Sequence, residues 1–196
     1  MAYPTVSAPY GFKPVNRIDG MAYAGATRAF SIASNYNTSI FNGDLVTLAT
    51  GGVVQKFTGT TSGASVGVFM GCSYTNPTTK QKTFSQYYPA STVASDIVAY
   101  VVDDPMALFK VVVTDGSSVV SVAALTAIGA NMSVIQGTGN TNTGDSGQSV
   151  LAGSEDTTNT LPIRVIDVVP DTATSSGYPE ILVKLNTHQY NSTTGV

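Results

Sequence analysis

The sequence predicts a mainly β protein, built as a β-sandwich or β-barrel of short antiparallel strands with an extended N-terminal arm. Short alternating runs of Val, Thr, Tyr and other apolar residues recur at a spacing of roughly 8–12 residues, with turn residues between them, which is typical of these architectures. No helical pattern of about 12 residues or more competes with the strand pattern. A hydrophobic content of 42% is sufficient for a packed core.

The predicted strands are bounded by Gly, Pro, Asn and Asp, which favour turns. Thr50-Gly51-Gly52 is a hairpin signal between two apolar runs, and Asn76-Pro77-Thr78-Thr79 is a second turn. Residues 118–130 are open to a short helix, which their valine content disfavours. The predicted strands are 28–33, 44–49, 53–57, 66–70, 72–75, 82–88, 97–102, 107–113, 132–135, 149–151, 162–169 and 180–186.

We expect residues 1–20 to be the arm, 21–190 the β-rich domain and 191–196 a C-terminal tail. The prolines of the arm break any helix and favour extended backbone. The arm cannot bury its own aromatic side chains, so it lies either on its own domain or on a neighbouring subunit. Within the domain, residues 137–160 are rich in Gly, Thr, Asn and Ser and are expected to form a long polar surface loop. The candidate subunit-contact or capsid-contact residues in the arm are Tyr3, Pro4, Pro9, Tyr10, Phe12 and Pro14.

The composition argues against several classes of function. The chain has one His, one Cys and no Trp, and only 11% of its residues are charged. Enzymes need convergent ionisable groups, which this chain can hardly supply. With a net charge of −3 and no Lys/Arg cluster, it lacks the basic surface that binds nucleic acid. No apolar run is long enough for a membrane helix, and the N-terminus lacks the pattern of a secretory signal, so we expect synthesis in a cytoplasm.

Three local patterns have both a reactive and a plainer interpretation. Gly144-Asp145-Ser146-Gly147 is similar to the surroundings of a serine nucleophile, but the only His, His188, follows it, and a polar turn is the better interpretation. Cys72 follows a buried strand pattern and is expected to be an inert buried thiol. Asp103-Asp104 would point to opposite faces of a strand, and the following proline indicates a turn. We therefore expect no enzyme activity, no cofactor, and no catalytic or metal-binding residues.

Five segments of the chain resemble a family of small head proteins of tailed bacteriophages, many of them from marine and freshwater phages. Members of this family are described as capsid decoration, or cement, proteins. The resemblance runs over most of the chain and is carried by structural motifs rather than by a catalytic signature. The segments are Ala8-Pro-Tyr-Gly-Phe-Lys-Pro-Val15, Ser39-Ile-Phe-Asn-Gly-Asp-Leu-Val46, Val66-Gly-Val-Phe-Met-Gly71, Val101-Val-Asp-Asp-Pro105 and Val183-Lys-Leu-Asn-Thr-His188.

The resemblance implies a β-rich virion protein that binds the outside of an icosahedral head and bridges neighbouring shell subunits. Its implied partner is the major capsid protein, with no nucleic acid or membrane, and its implied assembly is a homo-oligomer, with a trimer favoured. It would be located on the capsid exterior after synthesis in the host cytoplasm. The alternative is a tail or fibre component involved in host attachment. A fibre shaft should show repeats or a coiled-coil segment, and neither is visible in the sequence.

Overall fold

A computed structural model describes residues 6–116, 127–172, 177–192 and 195, and these residues form two β-sheets. The described residues include a 3₁₀ helix at Gln189–Asn191 and otherwise lie almost entirely in strands, turns and loops. The predicted β class is confirmed, and the barrel is the form it takes. The strands are β1 (Lys13–Arg17), β2 (Arg28–Ser31), β3 (Leu45–Ala49), β4 (Val53–Lys56), β5 (Gly67–Thr75), β6 (Lys82–Ser85), β7 (Val98–Val102), β8 (Ala107–Thr114), β9 (Asn131–Met132), β10 (Val134–Ile135), β11 (Ser149–Leu151), β12 (Ile163–Val168) and β13 (Glu180–Leu185).

The six-stranded sheet is built from a contiguous part of the chain, β2 to β7. Its strand order is β3-β4-β2-β7-β5-β6. An additional antiparallel pairing between β3 and β5 closes the strands from β3 to β5 in this order into a ring. Strand β6 pairs with β5 from outside this ring of five strands, and we call the ring together with β6 the six-stranded barrel. The Phe69/Gly71 bulge lets β5 bend around the closed barrel.

The seven-stranded sheet has the order β10-β11-β8-β13-β12-β9, and β1 pairs with β8. Its ends, β9 and β10, are separated along the chain only by Ser133, so the sheet is nearly closed on itself. Arg17 at the end of β1 lies opposite Ala107 at the start of β8. The six-stranded barrel is therefore an insertion between two neighbouring strands of the other sheet.

The two sheets pack against each other, because several strands of the barrel are buried on both faces. Successive side chains of a strand point to opposite faces. Thus Val46 and Phe69 join the core inside the six-stranded barrel, whereas Leu45 and Val68 join the core of the other sheet, around Phe109. Strands buried on both faces carry near-continuous apolar sequence, which explains the run at Val66–Met70.

The part of the expected arm that follows residue 10 belongs to the folded domain. Phe12 is 0% exposed and lies in the shared core, and β1 pairs with β8. Gly11 has φ +78°, and a Cβ there would lie 2.6 Å from the carbonyl oxygen of Gly43, so only glycine fits this close approach. This strand is not predicted from the sequence because the prolines in and before it are unfavourable in a β-strand. Pro14 is tolerated because β1 pairs with β8 alone and is bulged after that residue.

In the region 137–160, expected to be a long polar surface loop, residues 137–148 lie outside the strands but are not all at the surface. The strand predicted at 149–151 is confirmed as β11, with the same bounds. Just before it, Ser146 and Gln148 are buried because both hydrogen-bond into the six-stranded barrel. The possible helix at 118–130 falls mostly on residues 117–126, outside the described residues. In the tail, the described residues Asn191, Ser192 and Gly195 are exposed.

We predict that Phe12→Ala lowers the free energy of unfolding by about 3–5 kcal/mol, because it removes a fully buried ring and leaves a cavity. Phe84, which is 74% exposed on β6, provides a matched control, and Phe84→Ala should cost less than about 1 kcal/mol. Urea denaturation of both variants checks the difference. Equal small losses would place Phe12 on a detachable arm rather than in the core.

Candidate interaction surface

The candidate contact residues of the sequence analysis fall into different environments within the N-terminal segment, residues 6–22. Pro9 and Tyr10 are half-buried in the wall of a groove, and Pro14 is half-buried in β1. Phe12 is in the core, which corrects the expectation that it contacts another subunit, because no part of its side chain reaches the surface. Tyr3 and Pro4 lie outside the described residues.

The groove has a volume of about 770 Å³ and lies between the N-terminal segment and residues 135–149. Val6 to Tyr10 form one wall, and Thr138, Asn140 and Asp145 are among the residues of the other. Backbone hydrogen bonds fasten the N-terminal segment at both ends of this wall, from Tyr178 N–H to the carbonyl oxygen of Val6 (3.0 Å) and from Gly11 N–H to that of Gln148 (3.2 Å).

Tyr10 is tied to its own domain by its hydroxyl group. The hydroxyl donates a hydrogen bond to Glu180 Oε1, and Glu180 is almost fully buried. Lys110 Nζ lies 3.0 Å from the same carboxylate and 5.9 Å from the centre of the Tyr10 ring. Burial, followed by the hydrogen bond and charge of Glu180, raises the pKa of Tyr10. The phenol therefore stays protonated and acts as a donor within the chain.

An exposed apolar cluster lies at the other end of the N-terminal segment. We call Val15, Ile18, Met21 and Met106 the β1 surface. Met21 is 63% exposed, and the others are 42–45% exposed. Ile18 N–H donates to the carbonyl oxygen of Met106 (2.9 Å), which places these two residues side by side. An isolated antiparallel bridge between Asn16 and Ala22 folds Met21 back beside β1.

Arg17 forms two ion pairs that hold the turns of the β1 surface in place. Its guanidinium lies 2.5 Å from Asp104 and 2.8 Å from Asp19. The first ion pair links β1 to the turn before β8, and the second closes the turn after β1. The contact residues predicted from the sequence include none of Ile18, Met21 and Met106. Their exposure depends on the pairing of β1 with β8, which the local pattern does not reveal.

The predicted turn at Asp103-Asp104 is confirmed, and the two carboxylates do not converge. The Asp104 side chain accepts a hydrogen bond from Met106 N–H, and its carbonyl oxygen accepts one from Ala107 N–H. Asp103 pairs instead with Arg28 (2.9 Å) and accepts a hydrogen bond from the Tyr190 hydroxyl (3.0 Å). Each carboxylate therefore has its own cationic partner.

Ser146 of the Gly-Asp-Ser-Gly motif belongs to a buried polar centre, not to a nucleophile–histidine pair. Its hydroxyl donates to the carboxylate of Asp44 (2.5 Å). The same carboxylate accepts a hydrogen bond from Phe41 N–H (2.8 Å) and lies 3.0 Å from Lys56 Nζ. Gln148 continues the centre, because its Oε1 accepts a hydrogen bond from Leu45 N–H (2.8 Å). These contacts satisfy a fully buried charge.

Cys72 and His188 have separate hydrogen-bond partners in the described part of the chain. Cys72 donates to the carbonyl oxygen of Tyr87 (3.5 Å), and burial raises the pKa of its thiol to about 12. The thiol is therefore uncharged and unreactive at neutral pH, as expected. His188 is buried, and its Nδ1 accepts a hydrogen bond from Tyr190 N–H (3.1 Å). Burial lowers the pKa of His188, although the charge of Asp103 opposes this.

Comparison of the chain with protein-family models, curated proteins and solved structures found no match. Among the described residues, no three His, Cys, Asp or Glu side chains are grouped as they would be to hold a metal ion. In the same residues, no helix is long and apolar enough to cross a membrane.

We predict that His188 makes the protein less stable in mild acid. Below its ordinary pKa of 6.5 the unfolded chain takes up a proton at this residue, whereas the folded chain, with its lowered pKa, does not. The free energy of unfolding should therefore be highest above pH 6.5 and fall as the pH decreases from there to the folded-state pKa. Protonation would also remove the acceptor for Tyr190 N–H.

Urea denaturation of wild type and His188→Gln between pH 5 and pH 8 tests this prediction. His188 is the only histidine in the chain, so the difference between the two curves isolates its contribution. The variant should show a smaller loss of stability below pH 6.5. Identical pH dependence for both proteins would contradict the prediction.

Proposed function

We propose that this chain is a non-enzymatic structural protein of a tailed-bacteriophage virion, which binds the outer surface of the head and stabilises the icosahedral capsid by bridging neighbouring shell subunits. The major capsid protein is its partner in this proposal. Support comes from the resemblance of five segments to capsid decoration proteins and from the barrel fold, which suits a structural role. The small number of ionisable side chains in the chain also favours a binding role over catalysis.

The observation that carries the proposal is the β1 surface. Apolar side chains exposed next to one another are typical of surfaces that bind other proteins. In the β1 surface, Val15 stands on a strand paired with β8, and the other three residues lie in the turns that the ion pairs of Arg17 hold beside that strand. A contact surface on such a support needs little ordering when it binds, which favours affinity.

The proposed assembly on the shell is a homotrimer. Copies of one chain that bind a symmetric shell present the same patches, and closed symmetric assemblies are the usual result. Pro9 and Tyr10 at the groove remain the contact residues proposed for a neighbouring subunit. The β1 surface is assigned to the major capsid protein, because it is the more apolar of the two surfaces.

The first test is the copy number of this protein in purified phage particles, measured relative to the major capsid protein. A ratio near stoichiometric supports binding over the whole head. A few copies per particle would overturn the decoration role in favour of the alternative tail or fibre component. Absence from particles would contradict both virion roles.

We predict that the double variant Ile18→Lys/Met21→Lys binds decoration-free particles at least about tenfold more weakly than wild type, because it places charge in an apolar contact. Both side chains are exposed, so the fold should tolerate the change. Val93→Lys, at a 60% exposed valine between β6 and β7, is the matched control and should bind normally. Sedimentation of labelled protein with particles measures the binding, and wild-type affinity of the double variant would reject the β1 surface as the contact.

A further inference from the structure

A lysine, an asparagine and an aspartate from three distant parts of the chain meet beside the groove. Lys13 Nζ lies 2.7 Å from Asn42 Oδ1 and 3.0 Å from Asp145 Oδ1. Asn42 Nδ2 donates to the carbonyl oxygen of Met70 (2.9 Å). One amine therefore contacts both a carboxamide and a carboxylate, and none of the roles described above uses this arrangement.

Backbone hydrogen bonds hold the three residues in place. Phe12 N–H, one residue before Lys13, donates to the carbonyl oxygen of Gly43 (2.9 Å), one residue after Asn42. Asn42 N–H donates to the carbonyl oxygen of Gly144, and Ser146 N–H donates to that of Asn42, both at 2.9 Å. These last two bonds form a parallel bridge between Asn42 and Asp145. The reacting groups are thus positioned before any reaction takes place.

We propose that Lys13 and Asn42 form an intramolecular isopeptide bond, with Asp145 as the proton carrier. Asp145 first takes a proton from the Lys13 ammonium group with which it is paired, and the resulting amine attacks Asn42 Cγ, so that a bond forms between Nζ and Cγ. Asp145 delivers that proton to Asn42 Nδ2 and then takes up the second proton that Nζ loses, which departs with the ammonia. The bond between Cγ and Nδ2 then breaks, and one molecule of ammonia leaves. Lysine amine plus asparagine carboxamide gives a secondary amide plus ammonia, with no oxidant, reductant or other reactant.

The surroundings of Lys13 and Asn42 favour formation of the isopeptide bond. Asn42 is only 8% exposed, so water competes little for its carbonyl carbon. The contact from Nζ to Oδ1 polarises the carboxamide and holds the lysine nitrogen beside the group that it would attack. Because the two groups are held together in one molecule, the effective concentration of one at the other can reach about 10⁵ M or more. Asp145 is half-exposed, which leaves a path for ammonia into the groove that it lines.

The buried pair of Lys56 and Asp44 shows why the carboxamide matters. Lys56 Nζ also lies 3.0 Å from a side-chain oxygen, but that oxygen belongs to a carboxylate that accepts hydrogen bonds from Phe41 N–H and Ser146 Oγ. The carbon of an anionic carboxylate is a poor electrophile, and the contacts stabilise the anion. That pair stays an ion pair, whereas Lys13 faces a neutral electrophile with a separate carboxylate beside it.

The proposed bond would join β1 of the seven-stranded sheet to the segment that leads into β3 of the six-stranded sheet. It would fasten the N-terminal segment covalently to the rest of the domain between its groove wall and the β1 surface. The bond concerns the chain by itself, so it can be tested without reference to a phage particle and does not depend on the function proposed above.

Mass spectrometry of the purified, denatured wild-type protein tests the proposal. The intact mass should be lower than the sequence mass by one ammonia. Trypsin should then release a branched peptide in which the N-terminal peptide ending at Arg17 is joined to peptide 29–56, with fragment ions that place the link between Lys13 and Asn42. A wild-type mass equal to that of the sequence, with two separate linear peptides, would overturn the proposal.

Two variants and a matched control assign the chemistry. Lys13→Arg keeps the positive charge but should restore the full mass, and Asp145→Asn should slow bond formation by a factor on the order of 10²–10⁴. Lys110→Arg alters a lysine of similar exposure in another ion pair and should retain the loss of ammonia. An unchanged rate in Asp145→Asn would contradict the role of that carboxylate.

A succinimide at Asn42-Gly43 would also release one ammonia, and the same experiment separates it from the isopeptide. The succinimide needs the backbone nitrogen of Gly43, which donates a hydrogen bond to the carbonyl oxygen of Phe69 (2.8 Å) and is held away from attack. It would give a linear peptide and would persist in Lys13→Arg. Loss of ammonia in that variant, without a branched peptide in wild type, would overturn the isopeptide proposal.

Discussion

The buried carboxylate of Asp44 is the interaction on which the arrangement of the two sheets depends. An unpaired charge in this position would cost several kcal/mol, so its partners must all be in place when the chain is folded. Lys56 comes from β4, Ser146 from the segment before β11, and the N–H of Phe41 from the turn before β3. A single side chain thus requires segments about a hundred residues apart to meet at one point.

The polar residues next to Asp44 extend this requirement to the neighbouring backbone. Gln148 accepts a hydrogen bond from Leu45 N–H and donates from Nε2 to the side chain of Gln136, which in turn donates to the carbonyl oxygen of Gly59. Satisfied networks of this kind favour one unique packing arrangement, because any shift leaves a buried polar group without a partner. Such a network positions both the groove and the base of the N-terminal segment.

Much of the fold could be predicted from local sequence, because strand periodicity and turn residues act over short distances. The strand predicted at 149–151 is confirmed, and the continuous apolar run at Val66–Met70 predicts a strand at the place where β5 begins. Strand β1 was missed because Pro14 is normally a sign against a strand, and its edge position is a tertiary property. The contacts of Lys13, Asn42 and Asp145 also could not be predicted, since each residue looks like an ordinary surface or turn residue until the sheets bring them together.

The insertion of the six-stranded barrel between β1 and β8 sets an order for folding during synthesis. All strands of that barrel lie between Arg28 and Val102, so it can close while the rest of the chain is still in the ribosome. The other sheet cannot be completed until β13, at Glu180–Leu185, has emerged to pair with β8. During that interval β8 lacks its partner β13, and pairings between such distant segments form slowly. The nascent protein therefore passes through a stage with one finished barrel and an unpaired, apolar strand edge, at which a chaperone would be of most use.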